Sequence, residues 1–84
     1  MTIIFKVQKA SGEDIRSIGP LQFVMGQTIA HLKSYLADTN EDISYGQQTM
    51  FLGGDRELID PLSLNDLGFE SGSNAVNEVV VRLS

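Results

Sequence analysis

"DISYGQQTMFLGG", Asp42 to Gly54, decides how the chain is read. Its second half, Gln47 to Gly54, is a short apolar run closed by two glycines, the pattern of a strand entering a tight turn. Alternation then divides its side chains. With Met50 and Leu52 facing inward, Phe51 faces outward.

The period changes just before this stretch. In "QTIAHLKSYLADTN", Gln27 to Asn40, the apolar residues Ile29, Leu32 and Leu36 recur at the spacing of one helix face. Thr28 is placed to cap the helix N-terminus. His31 stands where a reciprocal Glu would complete the capping box, so only half the box is present. Asn40, followed by Glu41 and Asp42, ends the helix.

Towards the N-terminus, "TIIFKVQKA" (Thr2 to Ala10) alternates, with Ile3, Phe5 and Val7 on one face and Thr2, Ile4 and Lys6 on the other. "SGED" (Ser11 to Asp14) supplies turn residues. "IRSIGPLQFVMG" (Ile15 to Gly26) is a second extended run interrupted at Gly19-Pro20, which places the clean strand at Leu21 to Val24. Towards the C-terminus, "ELID" (Glu57 to Asp60) reads as a brief strand that Pro61 stops. "PLSLNDLGF" (Pro61 to Phe69) reads as a turn with one turn of 3₁₀ helix, "SGSN" (Ser71 to Asn74) as a loop, and "AVNEVVVRL" (Ala75 to Leu83) as the last strand. Strand, strand, helix, strand, short strand, strand is an α+β order. It implies one helix crossing a mixed sheet of about four or five strands.

Bulk properties narrow the function classes. The 84 residues form a single domain, 1–84, with 42% hydrophobic and 20% charged residues, an ordinary globular balance. The net charge of −5, with Lys and Arg scattered, argues against nucleic-acid and anionic-membrane surfaces. The absence of cysteine removes thiol catalysis, disulfides and cysteine-based zinc sites. No apolar run is long enough to span a membrane, and no signal peptide is visible.

Catalytic constellations are sparse. His31 is the only histidine, so no His pair can hold a metal and no triad has more than one candidate base. Gly53-Gly54 leads into Asp55-Arg56, not into the Gly-Lys-Ser/Thr of a phosphate loop. Glu13-Asp14 and Glu41-Asp42 read as solvated turn charges. The chain is therefore expected to be a non-enzyme with no metal and no cofactor.

Six pieces in order carry a family likeness: "IIFKV" from Ile3, "TIAHLKSYL" from Thr28, "DISYGQQTMFLGG", "ELID", "LSLNDLGF" from Leu62, and "VVVRL" from Val79. The most specific is the Ile-x-x-x-Gln-Gln run from Ile43 to Gln48. Together they resemble the ubiquitin-like family, whose fold is the β-grasp, over nearly the whole chain.

The resemblance implies a core of Ile3, Phe5, Leu21, Phe23, Ile29, Leu32, Leu36, Ile43, Met50, Leu58, Leu64, Phe69, Val79 and Val81. It implies a largely buried helix lysine, Lys33, paired with Asp60. It also implies that function sits on the outer sheet face, where Ile4, Phe51 and Val80 are expected to lie near one another. Glu78 replaces a family histidine there, and Ala10 replaces, or displaces, a hairpin leucine. The expected partners are proteins: ubiquitin-binding helices, proteasome receptors or ubiquitin-pathway enzymes, bound weakly by a monomer in the cytoplasm or nucleus. No nucleic acid and no membrane are expected.

The chain also departs from the family. Of the family's lysines only Lys6 and Lys33 stand at matched positions, and the two most used linkage sites are Asp55 and Ser71, so the chain is expected to be a poor acceptor. The sequence stops at Ser84 without the Gly-Gly tail that conjugated members need. That leaves open a fixed interaction domain, or a covalent modifier or a unit of a self-processing polyprotein seen without its tail. A third possibility, a small-GTPase binder, calls for a basic strand edge, and only Arg16 lies near the second strand.

Overall fold

β1 (Thr2–Lys9) shows why the sheet forms as it does. Ile3, Phe5 and Val7 are fully buried while their neighbours are half-buried, the two-residue period of a strand with one face on a core. β1 pairs antiparallel with β2 (Asp14–Gln22) on one side and parallel with β5 (Val76–Leu83) on the other. β3 (Gln48–Leu52) pairs antiparallel with both β5 and β4 (Arg56–Leu58). The result is a mixed five-stranded sheet in the order β2-β1-β5-β3-β4. The computed structural model describes residues 1–53, 55–72 and 74–84.

The single described helix, α1 (Ile29–Thr39), covers one sheet face with the stripe Ile29, Leu32 and Leu36. Thr28 caps it, its side chain accepting from the His31 amide at 3.3 Å, and Asn40 ends it. The core matches the expected set with three differences. Leu21 is only half-buried at the sheet margin, and Val7 and Leu67 join the core. Phe23 packs edge-on against Phe5 and Tyr35, with ring centroids 5.9 and 5.5 Å away. Among the described residues no helix is long and apolar enough to cross a membrane.

The second strand differs from expectation. It runs unbroken from Asp14 to Gln22 through Gly19-Pro20, and Val24 lies beyond it, exposed. β2 is a sheet edge, where a proline without an N–H is tolerated. The register shifts by one residue between the Ile3↔Leu21 and Phe5↔Ile18 pairs, and Gly19 takes φ +114° there. A Cβ on Gly19 would meet the Ile3 carbonyl oxygen at 2.9 Å and the Leu21 nitrogen at 3.1 Å. Gly19→Ala is therefore expected to cost about 1–3 kcal/mol, read as a lower urea midpoint. An unchanged midpoint would refute that constraint.

Other boundaries moved for local reasons. Gln47 leaves the expected strand for a 3₁₀ turn, Tyr45–Gln47, because its side chain accepts from the Ser44 amide at 3.0 Å in a reciprocal cap. Gln48 is buried, and its amide donates to the Lys33 carbonyl at 2.9 Å, tying β3 to α1. β4 ends at Leu58, so Ile59 and Asp60 belong to the following turn. The expected 3₁₀ turn is Leu64–Asp66. Of the Gly53-Gly54 turn, Gly53 has φ +70°. Gly54, like Ser73 of the later loop, lies outside the described residues.

The acidic pairs are not all simple turn charges. Asp14 opens β2, and Asp42 takes both guanidinium nitrogens of Arg16 at 2.7 and 2.9 Å. That hydrogen-bonded fork raises the Arg16 pKa and lowers that of Asp42. It links edge strand β2 to the segment after α1.

Candidate protein-binding face

The sheet face away from α1 is defined by register. Phe51 stands directly opposite Val80 across β3 and β5. Val80 is opposite Lys6, and Ile4 is opposite Glu78, across β5 and β1. Ile4 is therefore a diagonal neighbour of Val80, with β5 between it and Phe51. All three apolar residues are half-buried and Glu78 is exposed.

One expected feature changes. Phe51 is not an open aromatic centre, because the Arg82 guanidinium lies over its ring, 4.9 Å from the centroid. Arg82 also donates to Gln8 Oε1 at 3.3 Å. Ala10 is exposed in the β1–β2 hairpin, beyond the Lys9↔Leu83 rung. At ~3.3 Å per residue it is about 13 Å along the sheet from the Lys6–Val80 rung. It belongs to the hairpin end of the face and not to its centre.

The face also includes residues the sequence reading left out. Glu57 on β4 lies opposite Phe51. Arg82, two residues after Val80, was available from the same alternation that placed Val80 outward. Gln8 needed the β1–β5 pairing before its contact could be seen. Among the described residues no pocket opens, and no three potential metal ligands cluster.

The Lys33–Asp60 pair lies on the other side of the molecule, between α1 and the turn after β4. Lys33 Nζ contacts Asp60 Oδ1, with the lysine side chain 12% and the aspartate 39% exposed. Tyr45 donates its hydroxyl to Asp60 Oδ2 at 2.6 Å, a partner that no local pattern announces. Hydrogen bonds from Lys33 first and Tyr45 second hold the Asp60 carboxyl below its ordinary range, against the opposing effect of burial. The same bond raises the Tyr45 pKa, because ionising the phenol would sacrifice its donor beside a carboxylate.

His31 is exposed and bonded to Gln27 through Nε2 at 2.8 Å.

In comparisons with known proteins, no family model and no curated protein matches this chain.

Proposed function

We propose that this chain is a non-catalytic domain of the ubiquitin-like, β-grasp kind, binding other proteins weakly through its outer sheet face. The observation that carries the reading is the Phe51–Val80 rung with Ile4 on its diagonal, on the face that α1 leaves uncovered. The element order and the mixed five-stranded sheet under one helix are compatible with the β-grasp that the six sequence pieces resemble. The candidate partners are ubiquitin-binding helices, proteasome receptors or ubiquitin-pathway enzymes, met in the cytoplasm or nucleus. A patch of a few side chains supports Kd values of ~10 µM to ~1 mM.

The test is a titration of ¹⁵N-labelled protein with a panel of ubiquitin-binding helices. Amide shifts should concentrate at Ile4, Phe51 and Val80. Phe51→Ala should abolish them while its own spectrum stays dispersed. Shifts centred on another face, or binding that survives Phe51→Ala, would remove the proposal.

A further inference from the structure

What a partner of this face must carry depends on how the face's own charges are already engaged. Its cations are Lys6 and Arg82. Lys6 Nζ lies 3.9 Å from Asp14 Oδ2. Arg82 covers the Phe51 ring and donates to Gln8, whose amide in turn donates to Asp14 Oδ1 at 2.9 Å. Arg82, Gln8, Asp14 and Lys6 thus knit β5, β1 and β2 together at the hairpin end.

The carboxylates nearer the apolar residues are different. Glu57 and Glu78 are both exposed. Neither makes an ion pair or side-chain hydrogen bond among the described residues. Glu57 lies opposite Phe51, and Glu78 lies opposite Ile4. They flank the Ile4–Val80–Phe51 diagonal at its two ends.

Their spacing follows from the sheet. Glu57 is two strands across from Val80, about 10 Å, and Glu78 is two residues along, about 7 Å. The two carboxylates are therefore about 12 Å apart on one face. On a helix, residues i and i+7 share a face and are separated by about 11 Å, with i+3 and i+4 between them.

We propose that the face takes a basic amphipathic helix, with Lys or Arg at i and i+7 meeting Glu57 and Glu78 and apolar side chains at i+3 and i+4 seated on Val80 and on the exposed part of Phe51 beside the Arg82 guanidinium. This rests on the face being a protein-binding surface and adds the charge of its partner. Lys6 lies beside Asp14 and Arg82 is held over Phe51 with Gln8 as its acceptor, while the carboxylates at the two ends of the diagonal have no partner of their own among the described residues, so complementarity at those ends selects a basic partner and disfavours an acidic one.

The experiment uses two synthetic helical peptides with the same leucine-alanine centre, one with Lys at i and i+7 and the other with Glu. Each is titrated into the labelled 84-residue chain. The lysine peptide should bind at least about fivefold more tightly at low salt, with the gap closing near about 0.5 M salt. Glu57→Lys and Glu78→Lys should each erase the preference. Asp38→Lys makes the same charge change at an exposed position on α1, and should keep it. Equal binding of both peptides at Phe51 overturns the charge inference but leaves the protein-binding face standing. Equal loss with Asp38→Lys also overturns it, since net charge alone would then explain the preference. Shifts nowhere on the face with either peptide overturn both.

Discussion

Phe5→Ala is expected to lower the unfolding free energy by about 4 kcal/mol, within the ~3–5 typical of a buried phenylalanine truncated to alanine. Phe5 is fully buried on β1, an interior strand of the sheet flanked by β2 and β5. Its backbone rungs reach Ile18 on β2 and Val79 on β5, and its ring meets Phe23 edge-on at 5.9 Å. The cavity would open between the sheet and the aromatic pair below it, where regular backbone on both sides limits collapse. A domain of this size holds ~5–10 kcal/mol in all, so the variant should be only marginally folded. Its urea midpoint should fall by about 3 M. Phe5→Leu, which keeps most of the volume, should cost under about 1.5 kcal/mol. A loss under about 1 kcal/mol in Phe5→Ala would show that the core does not close around this ring.

Asp60→Ala is expected to cost about 2 kcal/mol. Breaking a buried ion pair from one side typically costs ~3–5 kcal/mol, and this pair is discounted because Asp60 is partly exposed. The cost arises in what remains. Lys33, with its side chain 12% exposed, would lose its carboxylate, and Tyr45 would lose its acceptor. Replacing both charges, as in Lys33→Met with Asp60→Leu, should recover most of the loss, because neither charge then needs solvation. If the double variant is as unstable as Asp60→Ala, an unpaired lysine is not the cause.

Asp60 also sets a pH dependence. Its folded-state pKa is lowered, by the Lys33 hydrogen bond first and the Tyr45 hydrogen bond second. A lowered carboxylate stabilises the fold fully above its ordinary value, about 4. That contribution is lost as pH falls through the lowered folded value. Thermal midpoints measured from about pH 6 to pH 2 should therefore fall more steeply for the native chain than for Asp60→Asn. Parallel profiles would rule out this carboxylate as a contributor to acid sensitivity. Asp42, also lowered, remains in both proteins and cancels in the comparison.

Much of the fold was legible in local patterns. The alternation of Ile3, Phe5 and Val7 fixed the inner face of β1, and the spacing of Ile29, Leu32 and Leu36 fixed the buried stripe of α1. Thr28 and Asn40 marked the helix ends. What misled was a local rule met by a tertiary exception. Pro20 argued for a break, but β2 lies at the sheet edge and the register shift at Gly19 absorbs it. Gln47 looked like strand until its side chain was seen capping Ser44.

The candidate face divides in the same way. That Phe51 and Val80 turn outward follows from each strand alone, since successive side chains must point to opposite faces. That they stand opposite one another depends on β3 pairing with β5, two segments far apart in sequence. The capping of Phe51 by Arg82, the linkage of Arg82 to Gln8 and the convergence of Lys33, Tyr45 and Asp60 also depend on non-local packing. By itself the sequence determined which side chains share a face, because that is set by backbone geometry over a few residues. Only the tertiary structure decided which faces meet and which charges are left free, because those follow from the single strand order and register that bury the apolar sides of all five strands and the helix together.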